Sequence, residues 1–205
     1  YRLSIPSSNP ATFSLLEAEE NIGCIADNSV CQAMGTVFFA GADHVYALDQ
    51  NFIPKPITEP IKDVYQGIPT ANVNGATSNT TALVVDGNSG TIKVGMVVTG
   101  TGISGTVTVA TVTNQNTLVL SSAQSLSNDV ALTFTPVLSS TRIIFDPKKQ
   151  RLLCRFGSDR NNIYVLDLVR YATGQIVWNK MDMQAYPVDV IAIDEDLKTY
   201  TVTNT

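Results

Sequence analysis

The sequence is poor in charged residues, cysteine and histidine. Its 205 residues include 13 Lys and Arg, 18 Asp and Glu, one His and three Cys, and the formal net charge is −5. Phosphate binding needs clustered Lys and Arg, so we do not expect a nucleic-acid-binding surface. An acidic surface is compatible with lining a passage through which DNA slides without binding.

The cysteines and the histidine do not form a recognisable reactive or metal-binding pattern. Cys24, Cys31 and Cys154 are too few and too scattered for a disulfide framework, and their spacing does not match a zinc site. We expect buried free thiols, in a protein that is assembled in a reducing cytoplasm. His44 follows Asp43 in a predicted turn, where a role in capping is expected rather than a role as a catalytic base.

Long apolar segments are also missing. No run is long enough to cross a bilayer, and no signal-peptide pattern opens the chain. The chain begins with Tyr1 and ends in a strand-like run, and we expect it to be part of a longer polypeptide or a mature form.

The residues from 142 to 178 form four short runs rich in β-branched and aromatic residues. Turn-forming residues close each run, which is typical of an antiparallel meander. Such a meander makes one blade of a β-propeller or one sheet of a sandwich. The predicted strands are 142–146, 151–156, 163–167 and 175–178.

Similar patterns occur on both sides of the middle of the chain. Residues 37–40 and 45–48 predict a hairpin with a glycine-containing turn, and residues 188–193 and 197–202 predict another with an acidic turn. The segment 52–65 contains Pro54, Pro56 and Pro60, so it is predicted to be extended but not a central strand.

The segment from 71 to 137 differs in composition and contains only three charged residues, Asp86, Lys93 and Asp129. Thr or Ser alternates with aliphatic residues, which favours strands buried on one face. We predict an immunoglobulin-like β-sandwich over 69–137, inserted into a host that comprises 1–68 and 138–205. Its predicted strands are 81–85, 91–94, 96–99, 106–109, 117–120 and 130–134, with a turn at 86–90.

Two resemblances concern the host. Ile163-Tyr-Val-Leu-Asp167 with Thr173-Gly174 and Trp178 resembles the repeat of quinoprotein-like propellers. A longer set of motifs resembles the propeller-bearing tail hub or nozzle proteins of short-tailed bacteriophages. Those motifs are Gly35-Thr-Val-Phe-Phe-Ala-Gly41, Val45-Tyr-Ala-Leu-Asp49, Pro56-Ile-Thr-Glu-Pro-Ile61, Phe145-Asp146, Leu152-Leu153, Tyr164-Val165 and Trp178.

The inserted segment resembles the Thr- and Gly-rich immunoglobulin-like modules of phage tail and capsid proteins, mainly through residues 91–103. Together the resemblances imply an all-β protein of propeller-type blades, acting as a structural ring component around the DNA channel of a phage tail. They imply partners in copies of itself, neighbouring tail proteins and passing DNA, and a location in the virion after assembly in the bacterial cytoplasm. The inserted module would then decorate the surface or contact host glycans weakly.

Two other function classes stay open. In a glycan-binding module, an exposed polar loop of Asn114, Gln115 and Asn116 is the candidate contact site, and affinity would depend on multivalency. An enzyme would need a reactive cluster, but Asp194 with Asp196 is better explained by a solvated turn, and Trp178 by packing. We therefore expect no enzyme activity and no catalytic, cofactor-binding or metal-binding residue.

Overall fold

A computed structural model describes residues 2–4, 14–16, 22–48, 53–183, 190–193 and 199–202. Every strand pair among them is antiparallel. The predicted β class and antiparallel pairing are confirmed, since the strands form one six-stranded barrel, two four-stranded sheets and two hairpins. The first hairpin pairs β1 (Arg2–Ser4) with β2 (Ser14–Leu16).

The first sheet contains four strands in chain order and confirms the hairpin predicted at 37–48. Its last strand lies at the sheet edge, where proline is tolerated because one side of the strand needs no ladder hydrogen bond. The prediction of an extended segment to residue 65 is wrong beyond that strand, because a 3-10 turn (Glu59–Ile61) and helix α1 (Lys62–Gln66) follow. The strands are β3 (Cys31–Ala33), β4 (Thr36–Ala40), β5 (Val45–Leu48) and β6 (Pro54–Pro56).

The charge-poor segment folds into a closed barrel with its own core, so the predicted immunoglobulin-like sandwich is not confirmed. Inward-facing residues alternate with exposed ones, as the Thr and aliphatic alternation predicts. Around the barrel the strand order is β10-β11-β8-β7-β12-β9. The strands are β7 (Thr70–Val73), β8 (Thr80–Ser89), β9 (Val97–Gly100), β10 (Val107–Asn114), β11 (Thr117–Gln124) and β12 (Ala131–Thr135).

Two local predictions for the barrel are wrong. Most of the turn expected at 86–90, residues 86–89, is the end of β8, which accommodates Gly87 at a φ of 61° through an irregular register against β7. The strand expected at 91–94 is a loop, and β7 was not predicted. A run of Asp, Gly and Asn is typical of a turn, but the same residue types also occur in a β-bulge.

The second sheet follows the barrel and again contains four strands in chain order: β13 (Arg142–Asp146), β14 (Arg151–Arg155), β15 (Asn162–Asp167) and β16 (Trp178–Asp182). The first three agree with prediction, but the fourth begins at Trp178 instead of ending there. Helix α2 (Leu168–Ala172) occupies the connection, because the Asp167 carboxylate accepts hydrogen bonds from two backbone N–H groups and caps its start.

The second sheet is covered on both faces. On one face Ile143, Leu152 and Cys154 share a core with residues of the first sheet. On the other face Ile144 and Leu153 pack in a separate cluster with Ile191. Ile191 belongs to a last hairpin of β17 (Val190–Ile193) and β18 (Thr199–Val202), which agrees with the predicted hairpin. The host is therefore a stack of layers with β13 next to both β3 and β17.

Aromatic residues join the first two layers. Trp178 packs against their core, and its indole N–H donates to the Ile57 carbonyl at 2.8 Å, directly after β6. The Phe156 ring meets the Tyr65 ring edge-on at 5.2 Å, and the Tyr65 hydroxyl donates to the Gly41 carbonyl at 2.7 Å. The prediction that Trp178 is a packing residue is confirmed.

The three cysteines carry free thiols, as predicted, but one prediction of burial is wrong. Cys154 is buried and Cys31 half-buried, whereas Cys24 is exposed because it lies in a loop before the first sheet. The acidic turn predicted at Asp194–Asp196 lies outside the described residues.

Two adjacent leucines test the layered arrangement. We expect Leu152→Ala and Leu153→Ala each to lower the free energy of unfolding by about 2–5 kcal/mol, because their side chains are fully buried on opposite faces of one sheet. Urea denaturation of both variants, with exposed Val169→Ala as the control, measures the effect. A loss of under about 1 kcal/mol for Leu153→Ala would mean that the second face is not a core.

Candidate functional site

The antiparallel order of the barrel separates its connections into two ends. The chain enters at β7 and leaves after β12, at the same end as the loops 90–96 and 115–116. The loops 74–79, 101–106 and 125–130 lie at the opposite, free end. The barrel therefore faces the host with the loops that follow β8 and β10.

Lys93, in the loop after β8, crosses from the barrel to the host. Its ammonium group donates to the Val64 carbonyl at 2.9 Å and lies 3.6 Å from an Asp159 carboxylate oxygen. It also lies 5.7 Å from the centre of the Tyr164 ring. Burial lowers the pKa of Lys93, and the negative charge of Asp159 opposes that shift. The contact is thus a largely desolvated ion pair, in which the hydrogen bond of the lysine goes to the Val64 carbonyl and not to the carboxylate.

Asp159 is held in place by the host itself. Its side chain is only 5% exposed and accepts from the Asn161 backbone N–H at 3.1 Å, and from the Asn162 side-chain amide at 3.0 and 3.1 Å. The Tyr164 hydroxyl donates to it at 3.4 Å. Burial, followed by the Asp159 charge, raises the pKa of Tyr164 well above its usual range. The carboxylate is therefore pre-organised to receive the barrel's lysine.

Gly95 provides a second point of close approach. Its φ is 81°, and an added Cβ would overlap the side chain of Ser158 in the host. Glycine is required here for two reasons, the left-handed backbone and the lack of space. The loop after β8 is thus fitted closely to the host loop that contains Ser158 and Asp159.

A cleft of about 1030 Å³ opens beside these contacts, between the barrel and the host. We call it the junction cleft. Both modules supply its walls, through α1, the loops of the barrel's host-facing end, and the strands β15 and β16. Its polar and charged walls include Asp63, Lys93, Gln115, Arg160, Asn161 and Lys180.

The candidate contact loop lies at the host-facing end of the barrel, and part of it lines the junction cleft. Gln115 is half-buried, and its side-chain amide both accepts from the Ile92 N–H at 2.7 Å and donates to the Ile92 carbonyl at 3.0 Å. Asn114 and Asn116 are exposed, and the Asn114 side chain accepts from the Asn116 N–H at 2.9 Å. Gln115 thus fixes two loops to each other, and a contact role for this loop stays a prediction.

Lys93 and Asp159 were not singled out as site residues from the sequence. A signal existed for Lys93, since it is the single cation in a segment with three charged residues. An isolated charge in an apolar segment often has a defined partner, because an unpaired charge is costly to bury. The partner Asp159 lies on a polar host loop and could not be chosen without the fold.

His44 takes part in a hydrogen-bonded chain that resembles a catalytic triad. Its Nδ1 lies 3.1 Å from the Thr58 hydroxyl oxygen, and its Nε2 lies 3.2 Å from a Glu59 carboxylate oxygen. However, Thr58 is completely buried, and its hydroxyl oxygen accepts from the Val45 N–H at 3.1 Å. That oxygen is enclosed, and the arrangement joins β5 to the residues after β6. The expected turn-capping role is not what the structure shows, because the His44 ring contacts Thr58 and Glu59 while a backbone hydrogen bond from Gly41 N–H to the His44 carbonyl closes the turn.

Comparison with known proteins does not assign the chain to a family. No protein-family model matches the chain, and neither the curated proteins nor the solved structures contain a match. In the described part of the chain, no group of three or more His, Cys, Asp or Glu residues is placed to hold a metal ion. No helix described by the structure is long and apolar enough to cross a membrane.

A pair of glycines tests whether the barrel is fitted to the host. Gly95 and Gly105 both have positive φ, 81° and 76°, but only Gly95 faces a neighbouring side chain. Alanine at either position carries the cost of a left-handed backbone, so their difference isolates the contact with Ser158. We expect Gly95→Ala to destabilise the protein by about 1–3 kcal/mol more than Gly105→Ala in urea denaturation. Equal losses would show that this contact contributes no stability.

Proposed function

We propose that the chain is a structural component of a bacteriophage virion, acting as a tail hub or nozzle protein in a ring around the DNA channel. The observation that carries this proposal is the layered host, in which two four-stranded antiparallel sheets pack face to face in chain order. Stacked antiparallel meanders are the building principle of a β-propeller. The host motifs that resemble the tail proteins fall on these layers.

The position of β13 adds support. It is the first strand of the second sheet, and it lies next to β3, the first strand of the first sheet, and next to β17. In a propeller, the first strands of successive blades adjoin around a central axis in this manner. Further blades, from the same polypeptide or from neighbouring copies, would complete such a ring.

The barrel suits an outward-facing attachment. The barrel has its own core. The chain enters it at β7 and leaves it at β12, and these two connections to the host lie side by side because β7 and β12 pair directly. The Lys93–Asp159 pair fixes it to the host, so its free end projects in a defined direction. The negative net charge is compatible with a channel that DNA passes without binding.

A structural role also accounts for the chemistry of the buried polar groups. The hydrogen bonds of His44 and Trp178 join strands or layers, and those of Asp159 order the loop that leads into β15. We therefore propose no enzymatic activity for the described part of the chain.

Mass spectrometry of intact, purified virus particles tests the proposal. Peptides from both 36–65 and 142–180 should be present at the copy number expected for one ring of subunits, on the order of ten per particle. Copy numbers in the hundreds would indicate a capsid-surface protein instead. Absence of both peptides from particles, while the protein is abundant in the infected cell, would contradict a virion role.

A further inference from the structure

The junction cleft has room for an organic ligand. Its volume of about 1030 Å³ is slightly above the usual range for ligand pockets, about 300–1,000 Å³. A single inorganic ion does not need this space. Clefts between two modules are also a preferred location for ligand sites, because both walls can contribute contacts.

The walls of the cleft carry more positive than negative charge. Lys93, Arg160 and Lys180 face two carboxylates, Asp63 and Asp159, in a chain whose net charge is −5. Asp159 is almost completely buried and already accepts several hydrogen bonds. The negative charge of Asp159 is therefore compensated by its neighbours in the protein. The positive side chains in the open part of the cleft then favour a ligand with an anionic group.

Two lysines lie close to Tyr164. Lys93 lies over the ring of Tyr164, and Lys180 is the direct cross-strand neighbour of Tyr164 on β16. Lys180 is exposed, whereas Lys93 is mostly buried. Repulsion from Lys180 contributes to the lowered pKa of Lys93, after the larger effect of burial. An anion between these groups would relieve the repulsion.

The rest of the wall offers neutral hydrogen-bonding groups. Ser89, Thr91 and Thr111 are exposed on the barrel side, and Asn161 lies on the host side. Hydroxyl and amide groups match the hydroxyl groups of a sugar ring. Tyr164 is only 5% exposed, so its ring face is not available for a sugar to stack on.

We propose that the junction cleft binds an acidic saccharide, with its carboxylate beside Lys180 and Arg160 and its ring hydroxyls against the polar barrel wall. Without aromatic stacking the affinity is modest, and several copies in one assembly would strengthen it. This site differs from the exposed contact loop predicted from the sequence, although Gln115 borders both. The proposal goes beyond the virion role and does not depend on it.

NMR titration of the full ¹⁵N-labelled chain tests the proposal. The probes are trigalacturonic acid, the neutral sugar galactotriose and inorganic phosphate, each at the same ionic strength. We expect saturable shifts for trigalacturonic acid in the millimolar range, confined to amides of 89–94, 110–115, 159–164 and 179–181. Galactotriose and phosphate should bind much more weakly, because galactotriose offers ring hydroxyl groups without a negative charge and phosphate offers a negative charge without a sugar ring.

Matched lysine variants decide whether the cleft is responsible. Lys180→Ala should weaken binding by a factor on the order of ten, through loss of a charge-assisted hydrogen bond. Lys148→Ala removes an exposed lysine in the β13–β14 turn, and binding should be unchanged. An unaltered affinity in Lys180→Ala, shifts outside the cleft, or equal binding of phosphate would overturn the proposal.

Discussion

The ion pair between Lys93 and Asp159 determines how the two modules of this chain act together. A lysine is costly to remove from water, and its position is stable only because Asp159 and the Val64 carbonyl receive it. Asp159 is in turn oriented by Asn161, Asn162 and Tyr164, so the host's own residues hold the carboxylate in position. This one contact therefore fixes the orientation of the barrel relative to the host. The junction cleft lies beside the contact.

The host that carries this contact depends on a sheet with two buried faces. Adjacent residues such as Leu152 and Leu153 are both fully packed, one toward the first sheet and one toward Ile191. A layer of this kind is stable only between neighbours, because either face alone would expose apolar surface. The requirement for neighbouring layers links the fold to the proposed ring, because the blades of a propeller are complete only when they close on themselves or on other copies.

The sequence predicts the layers better than the module they carry. The β-branched runs of β13, β14 and β15 are long enough, and clearly enough bounded by turns, to be recognised. The barrel was predicted as a sandwich, because alternation specifies which face of a strand is buried but not whether a sheet closes. The polar end of β8 was predicted as a turn for a related reason, since Gly87 is equally compatible with a bulge. The candidate cleft could not be predicted, because its walls come from residues more than sixty positions apart, such as Lys93 and Arg160.

The most direct test of this account is whether the barrel and the host tumble as one body. Backbone ¹⁵N relaxation measures a rotational correlation time for each module in the same sample. If Lys93 fixes the barrel as described, amides of the barrel and of the two host sheets will give a single correlation time. A distinctly shorter time for the barrel would contradict the rigid attachment, and with it the junction cleft and the directed projection of the barrel.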